Sequence, residues 1–460
     1  MNKRNQFIRI GMVFCLTIGI LLTTNPARAA TWQVCPISCT YTTIGAAVAA
    51  ATSGDEIDVG SATYAEHDIT IGKALTIKGT GSGLVTVDAQ TNGRVFIISS
   101  GITVTISGMT ITNGRATNTF GGGILNNGTL NLDGVIVTNN AAIQNDVSQL
   151  SIFGGGIYST GNLTMTNSQV TNNGSVFSGA GIYLLKGTTD LLTNVLIQNN
   201  TISGSAGSGA GIYLDSASSP YVGTLTLDQV TVDQNTATGS GGGIYAQHSA
   251  SVTIKNSTIS NNTISGSNTY GAGLYAEASS ILAMSNDTVA GNSAPAGYGG
   301  GMYAAGTTWL TNVTVADNTA SFYGGLYIGG PYTMIFLSNT ILSDNTAPNC
   351  GGGFYSYDNN LIQDTIVYCT ITGQTADNIM GVSADLAALA DNGGKTKTMA
   401  LLTGSPAIDH GKDATCAAAV GAPNYGAGGL DQRGIVRPQG AHCDIGAYET
   451  ILIYLPLVMR

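Results

Sequence analysis

Hydrophobic residues in this chain recur at a fixed place within a repeated unit. A glycine-rich element, followed by an apolar residue and in most copies a tyrosine, returns at intervals of 24 to 33 residues. The apolar residue of each copy is Ile124, Ile157, Ile182, Ile212, Ile244, Leu274, Met302, Leu326 or Phe354. A unit of this length cannot bury an apolar stripe alone, so the pattern predicts a solenoid of stacked coils.

Each unit continues into a window of eleven residues that ends in asparagine. In eight aligned windows, positions 3 and 8 are always apolar. Position 3 is Leu132, Met165, Leu192, Leu227, Ile254, Met284, Leu310 or Leu337, and position 8 is Val137, Val170, Ile197, Val232, Ile259, Val289, Val315 or Leu342. Short runs that alternate with period two, broken by Gly and Asn, indicate strands joined by turns and exclude a helical solenoid.

These patterns predict an all-β fold, a right-handed parallel β-helix that runs without a break over about residues 41–378. Equivalent residues of successive coils then lie about 4.8 Å apart, with Ile124, Ile157, Ile182 and Ile212 stacked inside. The segment from Thr43 to Ala51, TIGAAVAAA, predicts a short N-terminal helix that caps the first coil.

Position 11 of the window is asparagine in all eight units. These residues are Asn140, Asn173, Asn200, Asn235, Asn262, Asn292, Asn318 and Asn345. An amide can donate to one neighbour while it accepts from another, so we expect a structural ladder of asparagine side chains at one bend.

The composition and the N-terminal residues predict that the protein is exported. Of the 460 residues only 9% are charged, 43% are hydrophobic and 64 are glycine. Residues 1–29 have the basic start, apolar centre and small-residue end of a secretory signal peptide, with an uncleaved anchor helix as the alternative. The net charge is -10 (16 basic, 26 acidic residues), and it becomes -14 once Lys3, Arg4, Arg9 and Arg28 are removed with that segment. This balance excludes a nucleic-acid partner, and no later apolar run is long enough to predict a transmembrane span in the mature chain.

Six cysteines remain after such cleavage, and an even number in an exported chain favours disulfides over a metal site. Proximity in the sequence suggests the pairs Cys35 with Cys39, Cys350 with Cys369, and Cys416 with Cys443. Six cysteines allow 15 connectivities, so other pairings stay open.

Two regions resemble known families. The segment from Tyr41 to Gly83 resembles the opening of pectin lyase-like β-helix proteins, and the GGGI and Asn-terminated repeats resemble those of polymorphic outer membrane proteins. Residues 386–411 and 431–449 resemble the choice-of-anchor Q domain of exported β-helix proteins. The resemblance implies a β-helix that is attached to a surface near its C-terminus.

The chain therefore divides into a signal peptide (1–29), a cap with the first coils (30–115), the repeats (116–378), a choice-of-anchor Q-like region (379–449) and an apolar tail (450–460). The tail is about half the length of a membrane-spanning helix. It resembles the short C-terminal ends of some bacterial surface proteins, and a final buried strand is the alternative interpretation.

Catalytic residue types are scarce in the repeats. No arginine lies between Arg115 and Arg433, and residues 116–394 contain only Lys186 and Lys255 as lysines. A β-helix lyase needs a cationic base, and a glycoside hydrolase needs paired carboxylates. We predict no catalytic residues, and we interpret His67, His248 and His442 as structural.

No cofactor is predicted. Two aspartate pairs, Asp228 with Asp233 and Asp431 with Asp444, would bind Ca²⁺ only if their carboxylates converge. Aspartates that solvate turns are the alternative.

The leading hypothesis is a secreted or cell-surface protein without enzymatic activity, which acts as a structural, adhesive or glycan-contacting scaffold. Its partners would be the cell envelope or an extracellular glycan or protein surface. The alternative is a β-helix polysaccharide lyase or hydrolase. A row of tyrosines follows the inward aliphatic residues and should face outward, either to contact glycans or to pack on one another. Its members are Tyr158, Tyr183, Tyr213, Tyr245, Tyr275, Tyr303 and Tyr327.

Overall fold

The structure is a computed structural model that describes residues 29–146, 152–185, 187–216, 222–330, 333–346, 348–364, 368–421 and 425–451. The predicted signal peptide, Lys186 and most of the apolar tail lie outside these residues. Each full coil contributes strands to four parallel sheets, which we number in the order in which the chain reaches them within a repeat. Strands are numbered along the chain.

Sheet 1 carries the residues that follow the glycine cluster. Its strands are β4 (Ile69–Ile71), β7 (Phe96–Ile98), β11 (Ile124–Asn126), β15 (Ile157–Ser159), β19 (Ile182–Leu184), β23 (Ile212–Leu214), β27 (Ile244–Ala246), β31 (Leu274–Ala276), β35 (Met302–Ala304), β39 (Leu326–Ile328) and the start of β42 (Cys350–Tyr357).

Sheet 2 carries the start of each window and joins sheet 1 through β42. Its strands are β1 (Thr31–Val34), β2 (Glu56–Val59), β5 (Leu75–Gly79), β8 (Thr103–Ser107), β12 (Thr129–Asp133), β16 (Leu163–Thr166), β20 (Thr189–Thr193), β24 (Thr224–Asp228), β28 (Ser251–Lys255), β32 (Ile281–Ser285), β36 (Thr307–Thr311), β40 (Met334–Ser338), β42 and β44 (Cys369–Gln374).

Sheet 3 follows a bend at window position 5. Its strands are β3 (Ala62–Tyr64), β6 (Val85–Asp88), β9 (Thr110–Thr112), β13 (Ile136–Thr138), β17 (Gln169–Thr171), β21 (Leu196–Gln198), β25 (Thr231–Asp233), β29 (Thr258–Ser260), β33 (Thr288–Ala290), β37 (Thr314–Ala316), β41 (Ile341–Ser343), β43 (Leu361–Ile362) and β45 (Ile379–Met380).

Sheet 4 follows the asparagine at position 11 and is the shortest. Its strands are β10 (Arg115–Thr117), β14 (Ala141–Ile143), β18 (Gly174–Ser175), β22 (Thr201–Ile202), β26 (Thr236–Ala237), β30 (Thr263–Ile264), β34 (Ser293–Tyr298) and β38 (Thr319–Phe322). The four sheets together form an all-β parallel solenoid of about 11 turns.

The predicted interior is confirmed. Ile124, Ile157, Ile182 and Ile212 stack in register and are completely buried. The apolar residues at window positions 3 and 8 are all no more than 2% exposed. The aliphatic stripe therefore forms one continuous core along the solenoid axis.

The predicted capping helix is α1 (Ile44–Ala50), which packs against β1, β2 and β4. Thr43 is its N-cap, and its hydroxyl accepts a hydrogen bond from the Ala46 amide. Glu66 supports the same end, because its carboxylate accepts from the Ile44 and Gly45 amides at 2.6 and 2.8 Å. Lys73 donates to three carbonyls near the other end of the helix.

The bends explain two sequence preferences. Window position 5 adopts positive φ in every one of the eight aligned coils, from +61° at Gly134 to +49° at Asn339. Asparagine tolerates this left-handed backbone better than most residues, which accounts for its frequency there. The first glycine of each cluster, such as Gly241 at +63°, has the same requirement.

After β45 the chain turns back along the outside of the solenoid. This C-terminal segment, residues 381–451, includes helix α2 (Asp413–Ala417) and packs against the bend between sheets 2 and 3. At one end of this contact the Thr396 hydroxyl donates to the Asn256 carbonyl, and at the other end the Lys412 backbone amide donates to Asn339 Oδ1. Among the residues that the structure describes, no helix is long and apolar enough to cross a membrane.

Candidate functional site

An aromatic groove lies where the C-terminal segment meets the last coils of sheet 2. It encloses about 520 Å³. Its walls are Trp309, Leu310 and Thr311 of β36, Phe336, Leu337 and Ser338 of β40, Tyr357 of β42, Gln374 of β44, and Lys412, Thr415 and Tyr425 of the C-terminal segment. Concave sites of this size, rich in aromatic residues and with a few polar groups, are typical of ligand-binding sites.

The strand alternation places the aromatic rings on the outer face. Position 2 of the window lies between inward positions 1 and 3, so its side chain points outward. Along the coils this position is Asn131, Thr164, Leu191, Thr226, Thr253, Ala283, Trp309 and Phe336. Trp309 pairs with Phe336, and Phe336 pairs with Tyr355. The column therefore changes from polar or aliphatic residues to aromatic ones only in the last coils.

The rings of this column stack on one another. The centroids of Trp309 and Phe336 are 5.4 Å apart with planes inclined by 16°. Tyr425, which arrives from the C-terminal segment, covers the Trp309 indole at 4.2 Å and 5°. The Tyr357 ring lies 5.8 Å from Phe336 and its residue is 41% exposed, as is Tyr355. The open end of the column thus presents aromatic surface to solvent.

Polar groups line one side of the groove. The Lys412 ammonium donates to the Tyr357 carbonyl at 3.1 Å and to Gln374 Oε1 at 3.2 Å. Ser338 and Thr415 share a hydrogen bond of 3.1 Å. An ammonium has three donors, so Lys412 retains one for a ligand. None of the described residues that line the groove is a carboxylate.

The tyrosine row proposed from sequence has its ring faces occupied. Successive centroids from Tyr158 to Tyr303 lie 4.7 to 5.2 Å apart. Phe120 and Phe153 extend the stack at its N-terminal end. Tyr158 and Tyr183 are only 7% and 4% exposed, which agrees with the alternative that the row packs on itself. Each ring is covered by its neighbours, so only ring edges and hydroxyl groups remain for a ligand.

Carboxylates accompany the hydroxyl groups of this row. The Tyr183 hydroxyl donates to Asp215 Oδ2 at 2.7 Å. Burial raises the pKa of Tyr183, and the charge of Asp215 raises it further. Burial and then the charge of Glu277 do the same to the pKa of Tyr245. These tyrosines stay neutral hydrogen-bond donors over the physiological range.

The asparagine ladder connects every coil from Asn140 onward. Asn235 shows the pattern: its side chain donates to Asn262 Oδ1 and to the Ile197 carbonyl. The Asn235 amide N–H also donates to Asn262 Oδ1, while Asn235 Oδ1 accepts from Asn200. The ladder does not stop at Asn345, because that side chain donates to Asn349 Oδ1 at 2.9 Å. Asn349 lies four residues later and falls outside the aligned windows.

Disulfides join Cys35 to Cys39, Cys350 to Cys369 and Cys416 to Cys443, the pairs that proximity suggests. The second disulfide stands at the end of the asparagine ladder. Asn349 donates to Asp364, and the Cys350 amide donates to the same carboxylate. Within the described residues, the one group of three ligand types close enough for a metal ion is Cys350, Asp364 and Cys369, whose sulfurs form this disulfide.

Three of the four histidines, those considered above, each contact a carboxylate at the surface. His67 lies 3.0 Å from Asp68, His248 lies 2.6 Å from Glu277, and His442 lies 2.9 Å from Asp413. The hydrogen bond from Asp413 raises the pKa of His442.

The aspartates considered for Ca²⁺ have protein partners. Asp228 pairs with Lys255 at 3.1 Å, and Asp233 accepts from Gln198, Ser260 and Asn261. Asp431 pairs with Arg433, and Asp444 accepts from the backbone amides of Asp409 and Thr450.

Those last two aspartates belong to a buried network in the C-terminal segment. Arg437 and Glu449 form an ion pair of 3.0 Å, and both side chains are fully buried. Arg437 also donates to the carbonyls of Asp444 and Gly446. Burial raises the pKa of Glu449, while the charge of Arg437 opposes that rise. The buried charged residues of the C-terminal segment therefore hold its loops together.

Comparison with known proteins agrees with the architecture. Residues 193–388 match the family model described as right handed beta helix region. The fold is thus that of a right-handed parallel β-helix. The comparison with curated proteins gives no match.

Two enzymes are among the solved structures that are similar to this chain. The pectate lyase Pel9A is similar at 15% identity and a TM-score of 0.49, over 91% of this chain and 96% of that one. The A-module of the mannuronan C-5 epimerase AlgE4 of Azotobacter vinelandii is similar at 14% identity and a TM-score of 0.33, over 72% of this chain and 94% of that one.

Proposed function

We propose that this chain is an exported, non-enzymatic β-helix that binds an extracellular glycan through the aromatic groove. The observation that carries the proposal is the aromatic stack formed by Trp309, Phe336 and Tyr357. This stack is open to solvent at the Tyr357 end and is flanked by Lys412 and Gln374. Aromatic rings cover the apolar faces of sugar rings, while neighbouring donors bind the hydroxyl groups.

Attachment to a cell surface through the C-terminal region is part of the same proposal. Residues 386–411 and 431–449, which resemble the choice-of-anchor Q domain, are packed against the coils next to the groove. A ligand in the groove would therefore lie close to the point of attachment. Export is supported by the three disulfides.

A lyase or hydrolase is the rival proposal. Either reaction would need a base or a pair of carboxylates beside the bound sugar. Lys412 is the one described lysine in the groove, and its ammonium is already held by Tyr357 and Gln374. We therefore expect binding without cleavage.

The test begins with a glycan array, followed by calorimetric titration of any glycan that binds. We expect Tyr357→Ala to weaken binding about tenfold, the effect of one lost stacking contact. Trp309→Ala should weaken binding as well, because the indole stacks between Phe336 and Tyr425 and maintains the wall of the groove. Tyr368→Ala is the matched control, because Tyr368 is 53% exposed and lies outside the groove. Equal losses in all three variants would contradict the proposal.

Two further results would replace this proposal with a different site or a different function. If Tyr245→Phe abolishes binding while Trp309→Ala does not, the ligand occupies the hydroxyl edge of the tyrosine row. If the bound glycan gains reducing ends or an unsaturated product on incubation, the protein is an enzyme.

A further inference from the structure

We propose that the C-terminal end of the β-helix is an assembly surface, which pairs edge to edge with the same end of a second copy of this chain. The inference does not rest on glycan binding, although Gln374, the last residue of β44, also lines the aromatic groove. It rests on the last strand of sheet 2, β44.

Strand β44 has a neighbour on one side only. It pairs with β42 from Cys369 to Gln374, and no strand of the described residues lies against its other edge. The residues that follow it, from Thr375 to Asp377, are exposed as well. At the opposite end of the molecule, α1 packs against β1 and shields the first coil. The two ends of the solenoid are therefore unlike.

The register shows which backbone groups are free for pairing. Gly352 lies opposite Cys369, and its amide donates to the Tyr368 carbonyl at 3.1 Å. In a parallel ladder, alternate residues direct both N–H and C=O toward the same neighbour. Thr370 and Thr372 therefore face β42, and the backbone groups of Cys369 and Ile371 point toward the open edge.

Over its first four residues the edge has no protection against pairing, whereas at its far end Gly373 has a φ of +88° and Gln374 accepts from the Lys412 ammonium. Natural edge strands are blunted by lysine, proline or a bulge, whereas Cys369–Gln374 reads CTITGQ and contains neither charge nor proline. Tyr368, at its start, is 53% exposed. In a chain whose net charge is -10, an uncharged edge is a place where two copies meet without repulsion.

The charge that follows the strand selects the orientation. Asp377 is exposed just beyond β44. Parallel pairing of two copies would bring the two Asp377 carboxylates together, whereas antiparallel pairing places them beyond opposite ends of the paired strands, more than about 20 Å apart. Antiparallel pairing of identical strands has two-fold symmetry, and it closes at a dimer because α1 covers the other end.

The test is the mass of the full chain in solution, measured by light scattering after size exclusion over a concentration series. We expect wild type to be a dimer. Thr370→Lys with Thr372→Lys, and separately Thr370→Asp with Thr372→Asp, place like charges along the exposed side of the edge and should each give a monomer. An equal mixture of the two double variants should restore a dimer, because opposite charges then face each other.

The matched control is Thr164→Lys with Thr166→Lys on β16, which has strands on both sides and should leave the dimer intact. Circular dichroism and the melting temperature show that each variant is folded. A monomeric wild type would overturn the proposal. A dimeric Lys double variant, or a mixture that stays monomeric, would overturn it equally.

Discussion

The side-chain amide of Asn262 occupies the space that a side chain on Gly243 would need. A β-carbon on Gly243 would lie 2.9 Å from Asn262 Nδ2 and 2.5 Å from the Gly273 carbonyl oxygen. The third glycine of the cluster and the asparagine that ends the window are thus two halves of one contact. This explains why they recur together in the repeat.

We expect Gly243→Ala to destabilise the protein, because either the ladder or the next coil must shift to make room. The cost should be about 1 to 3 kcal/mol, typical of overpacking. Thermal unfolding checks this, with Gly83→Ala as the control, since a β-carbon there has nothing within 4 Å. A melting temperature for Gly243→Ala no lower than that of the control would refute the paired role.

Replacement of the central ladder residue Asn235 by Ala should cost about 1 to 3 kcal/mol, because it leaves buried partners on both adjacent coils unsatisfied. Asn235 is completely buried, whereas Asn345 is only partly so. Water can reach the partners of Asn345, so Asn345→Ala should cost less. The measurement is chemical denaturation of both variants, and a larger loss in Asn345→Ala would contradict it.

Asp190 should make stability depend on pH. It occupies an inward window position, between Leu163 and Leu225 on the neighbouring coils, and burial raises its pKa from 3.8 to about 7. The folded state therefore holds a proton that the unfolded state releases between these values. Stability should fall as pH rises from about 4 to about 7, by up to about 4 kcal/mol, and change little above that range.

The check compares melting temperatures at several pH values in wild type and in Asp190→Asn, whose amide mimics the protonated acid. We expect the variant to lose the part of this pH dependence that Asp190 contributes, while the part from Asp287, whose pKa is also raised by burial, remains. Asp133→Asn, at an exposed position, should keep both parts. Identical pH profiles for wild type and Asp190→Asn would show that another group is responsible.

The architecture could be predicted from the sequence because the same physical demand recurs in every coil. An inward residue must be apolar at each turn, so window positions 3 and 8 reveal the core directly. The aromatic groove could not be found in this way. Its signal is a change along one outward column, from Ala283 to Trp309 and Phe336, and outward positions vary freely in most of the chain.

The groove also depends on contacts between residues far apart in the chain. Tyr425 stacks on Trp309, and Lys412 reaches Tyr357, only because the C-terminal segment turns back along the solenoid. No period in the sequence encodes that path. The ladder residue Asn349 was missed for a related reason, since the last coil is shorter and departs from the aligned window.

Cleavage of the Cys350–Cys369 disulfide should loosen the end of the ladder. The bond closes a loop of 19 residues, for which the entropy model gives about 3 kcal/mol. We expect Cys350→Ser with Cys369→Ser to lower the melting temperature more than Cys35→Ser with Cys39→Ser, where the separation is only 4. Peptide mapping without reduction should recover both of the longer disulfides, and free thiols there would contradict the assignment.

The returning C-terminal segment changes how the solenoid should respond to force. In a simple stack each coil touches only its neighbours, and coils can peel away one at a time. Here Thr258 donates to the Lys397 carbonyl, Ser285 to Gly426 and Thr311 to Tyr425. The C-terminal segment is therefore hydrogen-bonded to several successive coils.

Backbone amides should accordingly exchange hydrogen more slowly in the coils that the C-terminal segment contacts than in the coils before Thr258, although all share the same ladder and core. Under tension the solenoid would therefore respond as two parts of different stiffness. The coils before Thr258 would extend first, while the coils bound to the C-terminal segment, together with the aromatic groove, would keep their shape.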